Sequence, residues 1–117
     1  MTASFRELHC GYVSVSESRG DHFQVLFAKT QESDEGYLVV QRQFEMPDEA
    51  KCYVETDDRD SCGQFVIRNA RLTRNQFEFE FGNRPARKMK VSFEATDSAY
   101  ADVRRTLQIM IPDLEFL

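Results

Sequence analysis

The residues that could do chemistry in this 117-residue chain are few, and their spacing suits little of it. The soft metal ligands are His9, Cys10, His22, Cys52 and Cys62. None forms a CxxC or HxxxH pair, so no zinc-site spacing is present. His9 and Cys10 are adjacent, and adjacent side chains on a strand point to opposite faces. The run Asp58-Arg59-Asp60-Ser61-Cys62-Gly63 opens like a calcium-binding EF-hand loop. Its fifth position is a cysteine, and its twelfth is Asn69 where a bidentate glutamate is needed. A serine or cysteine nucleophile needs an oriented histidine base, and neither histidine sits in such a signature. The five glycines are scattered, so no loop cradles a phosphate. No spacing singles out a carboxylate pair for acid–base work. The expectation is a protein that is not an enzyme, with no catalytic residues, no metal and no cofactor.

Carboxylates are what the chain has in quantity. Asp+Glu number 20 against 15 Lys+Arg, a formal charge of −5. The excess is uneven: residues 1–60 carry −7 and residues 61–117 carry +2. It lies in three stretches, Glu32/Asp34/Glu35, Glu45/Asp48/Glu49 and Glu55/Asp57/Asp58/Asp60. All three fall in loops or at strand ends, where binding residues concentrate. Gathered on one side, they would make a field that steers a basic partner; otherwise they are a solvated surface. A globally basic nucleic-acid binder is disfavoured. Arg84, Arg87, Lys88 and Lys90 do lie near Phe81 and Phe93, but those phenylalanines alternate with the core. The longest apolar runs, such as Tyr37–Val40, fall far short of the ~20 residues a membrane span needs. No signal-peptide pattern opens the chain. An odd, irregular set of three cysteines reads as reduced thiols, so a cytoplasmic protein is expected, with no nucleic-acid or membrane partner.

The positioning elements read as strands followed by one helix. Period-2 alternation marks Tyr12–Ser16, His22–Lys29, Tyr37–Gln43, Lys51–Thr56, Gln64–Arg68, Gln76–Phe81 and Lys88–Glu94. Arg71–Thr73 either extends the fifth of these or forms a short partner. The nearly continuous apolar start of Tyr37–Gln43 suggests a central strand buried on both faces at one end. Gln76–Phe81 is the clearest: Phe77, Phe79 and Phe81 share one face, and Gln76, Glu78 and Glu80 the other. Met46–Glu49, Asp57–Gly63 and Gly82–Pro85 read as breaks and turns. The period then changes. Tyr100, Val103, Leu107, Met110 and Ile111 make one stripe of a helix capped at Asp97 and stopped at Pro112. The expected fold is α+β: a mostly antiparallel β-sheet of about six to seven strands, with one C-terminal α-helix packed on the Phe77/Phe79/Phe81 face. Residues 1–117 make one domain.

One stretch brings a family into view. Gly36-Tyr37-Leu38-Val39-Val40-Gln41-Arg42 resembles the Tyr-Leu-aliphatic-aliphatic-Gln-Arg segment of immunity protein family ten of bacterial polymorphic toxin systems. Tyr53-Val54-Glu55 is similar to that family's Tyr-aliphatic-Glu strand. The acidic loop Asp57–Gly63, the Ala70–Asn75 turn and a C-terminal amphipathic helix continue the order of elements. The resemblance implies an intracellular immunity protein that binds a cognate toxin domain and neutralises it without chemistry.

On that reading the acidic residues Glu45, Asp48, Glu49, Glu55, Asp57, Asp58 and Asp60 supply the toxin-binding rim. Tyr37, Tyr53 and Phe44 are the aromatic anchors, unless they pack in the core. The alternative is a small ligand-binding module or enzyme with a pocket between sheet and helix, where Gln41 and Arg42 would be the polar residues. A third reading is a homodimer formed through an exposed strand edge.

Overall fold

A computed structural model of the chain describes residues 4–31, 35–44, 50–82 and 86–117. Ten strands and one α-helix occur among them. They are β1 (Ser4–Cys10), β2 (Tyr12–Ser18), β3 (His22–Ala28), β4 (Leu38–Gln43), β5 (Cys52–Thr56), β6 (Gly63–Phe65), β7 (Ile67–Leu72), β8 (Gln76–Phe81), β9 (Arg87–Phe93), α1 (Asp97–Met110) and β10 (Glu115–Phe116). The strands form two sheets instead of the one expected. The order β2-β3-β4-β5-β6 is an antiparallel meander, and β1-β9-β8-β7-β10 is mixed. In the mixed sheet β1 runs parallel to β9 and β10 parallel to β7. The chain passes between the sheets at Gly11, which joins β1 to β2, and at Val66, which joins β6 to β7.

Alternation decides which residues go inside. Phe77, Phe79 and Phe81 are essentially fully buried. They do not primarily receive the helix. They face the meander sheet, where Phe27 lies 5.9 Å from Phe77 and Phe65 lies 5.1 Å from Phe81, ring centre to ring centre. Phe27 also meets Phe93 at 5.3 Å. The helix backbone lies closest to β2 and β3. Its Val103, Thr106, Leu107 and Met110 are buried, while Tyr100 is only half-buried. The phenylalanine row has a second sheet opposite it, and the helix takes the side that remains. In β7 a bulge between Arg68 and Arg71 resets the alternation, with Asn69 at a positive φ of 51°. This is why residues 67–72 continue as one strand although their pattern breaks.

The helix start lies one residue before the expected cap. Thr96 Oγ1 accepts from the Ala99 N–H at 3.1 Å, which satisfies a first-turn donor. Asp97 instead sits in the first turn and receives Arg74 at 2.9 Å. At the other end Ile111 caps the helix through its N–H to the Leu107 carbonyl. Pro112 follows in the turn that leads to β10.

Candidate functional site

The middle of the meander sheet is β4, as its apolar start suggested. It is not buried on both faces: Leu38 and Val40 are buried, but Val39 is half-exposed. Register places Val39 opposite Leu26 on one side and Glu55 on the other. Ser14 lies beyond Leu26. The next row across the same outer face is Ser16, Gln24, Gln41, Tyr53 and Gln64. A third row is Ser18, His22 and Gln43. Within these rows Glu55 alone carries a formal charge. An apolar centre of Leu26 and Val39 is thus framed by uncharged polar side chains and by Glu55. A hollow of about 230 Å³ opens between His22, Gln41, Gln43, Tyr53 and Gln64. His22 Nε2 donates to Gln41 Oε1 at 3.0 Å and fixes both side chains.

The outer face of the mixed sheet is built differently. One row there reads Glu7, Lys90, Glu78, Arg71 and Glu115, alternating in sign across all five strands. Lys88 pairs with Glu78 at 2.9 Å, and Arg71 lies 3.8 Å from Glu115. Opposite charges facing one another across strands suit a surface that stays in water. The meander face lacks this pattern.

Three of the sequence-predicted residues meet at one edge of the meander face. The Tyr37 hydroxyl donates to Glu55 Oε2 and the Tyr53 hydroxyl to Glu55 Oε1, each at 3.0 Å. All three side chains are half-buried. Desolvation and then the bond to Glu55 push the Tyr37 phenol up to about 12. The Tyr53 phenol is raised as well, chiefly by its bond to Glu55. Both phenols therefore remain donors throughout the neutral range.

Asp57 serves the fold. Its Oδ2 accepts from the Gly36 N–H at 2.7 Å, and Arg6 of β1 forms an ion pair with it. The Gly36 backbone bond, with the Arg6 bond and charge assisting, holds its carboxyl below the usual range despite some desolvation. Gly36 has a φ of 61°, where a side chain would be strained, and its carbonyl accepts from the Cys10 thiol. Burial pushes that thiol up to about 11. Asp58 accepts from the Ser61 hydroxyl at 3.1 Å in the loop beyond β5. Phe44 packs edge-on against Phe23 and lies under the Arg42 guanidinium, at the margin of the core and away from the tyrosines' face. Glu45, Asp48 and Glu49 lie outside the described residues, as does the side chain of Asp60.

Gln41 and Arg42, paired by the pocket reading, point to opposite faces. Gln41 lies on the outer face with His22. Arg42 is buried on the inner face and donates from Nη1 to the Met110 carbonyl at 2.7 Å, at the end of α1. A hollow of about 340 Å³ between His9–Gly11, Asn75–Gln76 and Ser92–Glu94 contains none of the sequence-predicted site residues. Among the described residues no three His, Cys, Asp or Glu side chains gather to hold a metal. No helix among the described residues is long and apolar enough to cross a membrane. No family model, curated protein or solved structure matches the chain.

Proposed function

We propose that this protein works by binding another protein: an immunity-type inhibitor that covers a cognate toxin domain, with the outer face of β2–β6 as its docking surface. The observation that carries the reading is the contrast between the two sheet faces. Taking a charged side chain out of water costs far more than burying an amide, a hydroxyl or a phenol that finds a partner. Interface centres are accordingly depleted in charge and enriched in tyrosine. The charge-laddered face resists desolvation, whereas the glutamine, serine and tyrosine face with its Leu26–Val39 centre can be covered. The two segments that resemble the immunity family, Gly36–Arg42 and Tyr53–Glu55, lie on neighbouring strands and supply the middle of that face.

Size extends the argument. Five strands about 4.8 Å apart and about six residues long span roughly 20 Å by 20 Å. A standard interface buries about 800 Å² per partner. The partner must therefore also lie on the flanking loop at Asp57–Gly63, whose acidic residues favour a basic surface. The test is co-expression with the C-terminal domain of whatever protein the neighbouring upstream reading frame encodes. Growth restored by this chain supports the reading. An adjoining frame with no toxic product, or toxicity undiminished by the folded chain, contradicts it.

A further inference from the structure

We infer that Tyr37, Glu55 and Tyr53 form a receiving notch for an arginine side chain presented by the partner protein. The inference rests on the docking reading above and names its recognition chemistry. It starts from the lone pairs of Glu55. A carboxylate has two oxygens and about four acceptor positions. The two phenols take one position on each oxygen, at 3.0 Å. One acceptor per oxygen is left, and two parallel acceptors match the forked N–H pair of a guanidinium. The phenols also hold the carboxylate still, so little side-chain freedom remains to be lost on binding.

Charge points the same way. Some carboxylates of the fold have cations from within the chain: Asp57 has Arg6, Glu78 has Lys88 and Glu17 has Arg105. Among the described residues no Lys or Arg forms an ion pair with Glu55, and its cross-strand neighbour is Val39. A cation arriving from outside finds no competitor in the rows of this face.

An arginine, a tyrosine ring and a carboxylate also come together elsewhere in the chain. Arg74 lies over the Tyr100 ring at 4.7 Å from its centre and pairs with Asp97 at 2.9 Å. Arginine, tyrosine ring and carboxylate form one unit there. The notch has the carboxylate and two tyrosines and lacks only the guanidinium. Arginine suits it better than lysine because its planar fork can stack on a ring and bond to a carboxylate together.

The experiment is an NMR titration of the full chain with N-acetyl-arginine amide, and in parallel with the citrulline and lysine counterparts. The arginine compound is expected to shift the Tyr37, Tyr53 and Glu55 resonances. The uncharged citrulline compound should leave them in place, and lysine should bind more weakly. Glu55→Gln should weaken arginine binding about tenfold, the equivalent of one lost charge-assisted bond. The double variant Tyr37→Phe/Tyr53→Phe keeps the charge and should still bind less tightly, which guards against a Glu55→Gln variant that folds poorly.

Equal shifts with citrulline, or shifts spread over all the acidic residues and unaltered by Glu55→Gln, would overturn the notch. Concentration-dependent shifts of the same residues without any added compound would assign the occupant to a second copy of this chain and overturn it too. The two proposals fail separately. Growth rescue that survives Glu55→Gln removes the notch and leaves the docking face, whereas selective arginine binding without rescue leaves the notch and removes the immunity role.

Discussion

Replacing Arg42 with methionine removes a cation from beneath β4 while keeping much of its bulk. Arg42 is 7% exposed. It donates to the last helical carbonyl, that of Met110, at 2.7 Å and lies 4.3 Å from the centre of the Phe44 ring. A hydrogen bond from a charged donor contributes about 1.5–3 kcal/mol. The negative end of the helix adds about 0.5 kcal/mol for a cation, and the ring about 0.5–1 kcal/mol. Against this, methionine no longer requires a charge to be desolvated, which offsets about 1–2 kcal/mol. The expected net loss is about 2 kcal/mol. At about 4 °C per kcal/mol for a domain of this size, that lowers the melting temperature by about 8 °C. The Cys52 thiol, 3.7 Å from the same carbonyl, is too weak a donor to replace the guanidinium. Calorimetry of Arg42→Met beside Arg71→Met, whose exposed ion pair should contribute less than about 0.5 kcal/mol, makes the comparison. Equal melting temperatures for the two variants would refute the claim that Arg42 fastens the helix end to the meander sheet.

Further expectations are as direct. Phe79→Ala, which removes a fully buried ring 4.9 Å from Phe77 and 5.4 Å from Phe81, should cost about 3–5 kcal/mol in urea unfolding, and a surface-like effect would disprove the aromatic layer. Asp57 has its folded pKa depressed below 3.8. Its contribution is therefore present above that pH and disappears as the pH falls through the lower folded value. Asp57→Asn should accordingly be less stable than the parent at neutral pH, with the gap closing in acid; a gap independent of pH would contradict the Arg6–Asp57–Gly36 link. Tyr37 is the reverse case. Its folded pKa is raised from 10.0 to about 12, so the unfolded chain ionises first and stability falls as pH rises across that interval. Ultraviolet titration should show late-ionising tyrosines in the folded protein, with one fewer in Tyr37→Phe.

What the sequence disclosed follows from what local patterns can encode. The alternation of Gln76–Phe81 and the stripe of α1 identified those elements because each has one wet and one dry side. β1 was not legible: Phe5 points outward and is 57% exposed, while Arg6 reaches Asp57. Its alternation is thus inverted at one end by a long-range ion pair. The division into two sheets was hidden because it depends on turns at single residues, Gly11 and Val66, with no distinctive turn chemistry. At the site, Tyr53 and Glu55 are two apart and share a face by parity alone. Tyr37 joins them only through the register of β4 on β5, which no local pattern sets. Asp57 and Asp58 look alike in sequence. Only the turn at Gly36 shows that the first of them holds the fold together.

On the proposed function a partner protein docks on the outer face of the meander sheet, in whose rows Glu55 alone is charged. The most direct measurement compares two folded variants in the growth-rescue assay: Val39→Lys/Gln41→Lys on that face, and Lys90→Glu on the charge-laddered face. The account expects the first to lose rescue while keeping a near-parental melting temperature, and the second to rescue fully. Full rescue by Val39→Lys/Gln41→Lys, or loss confined to Lys90→Glu, would contradict it.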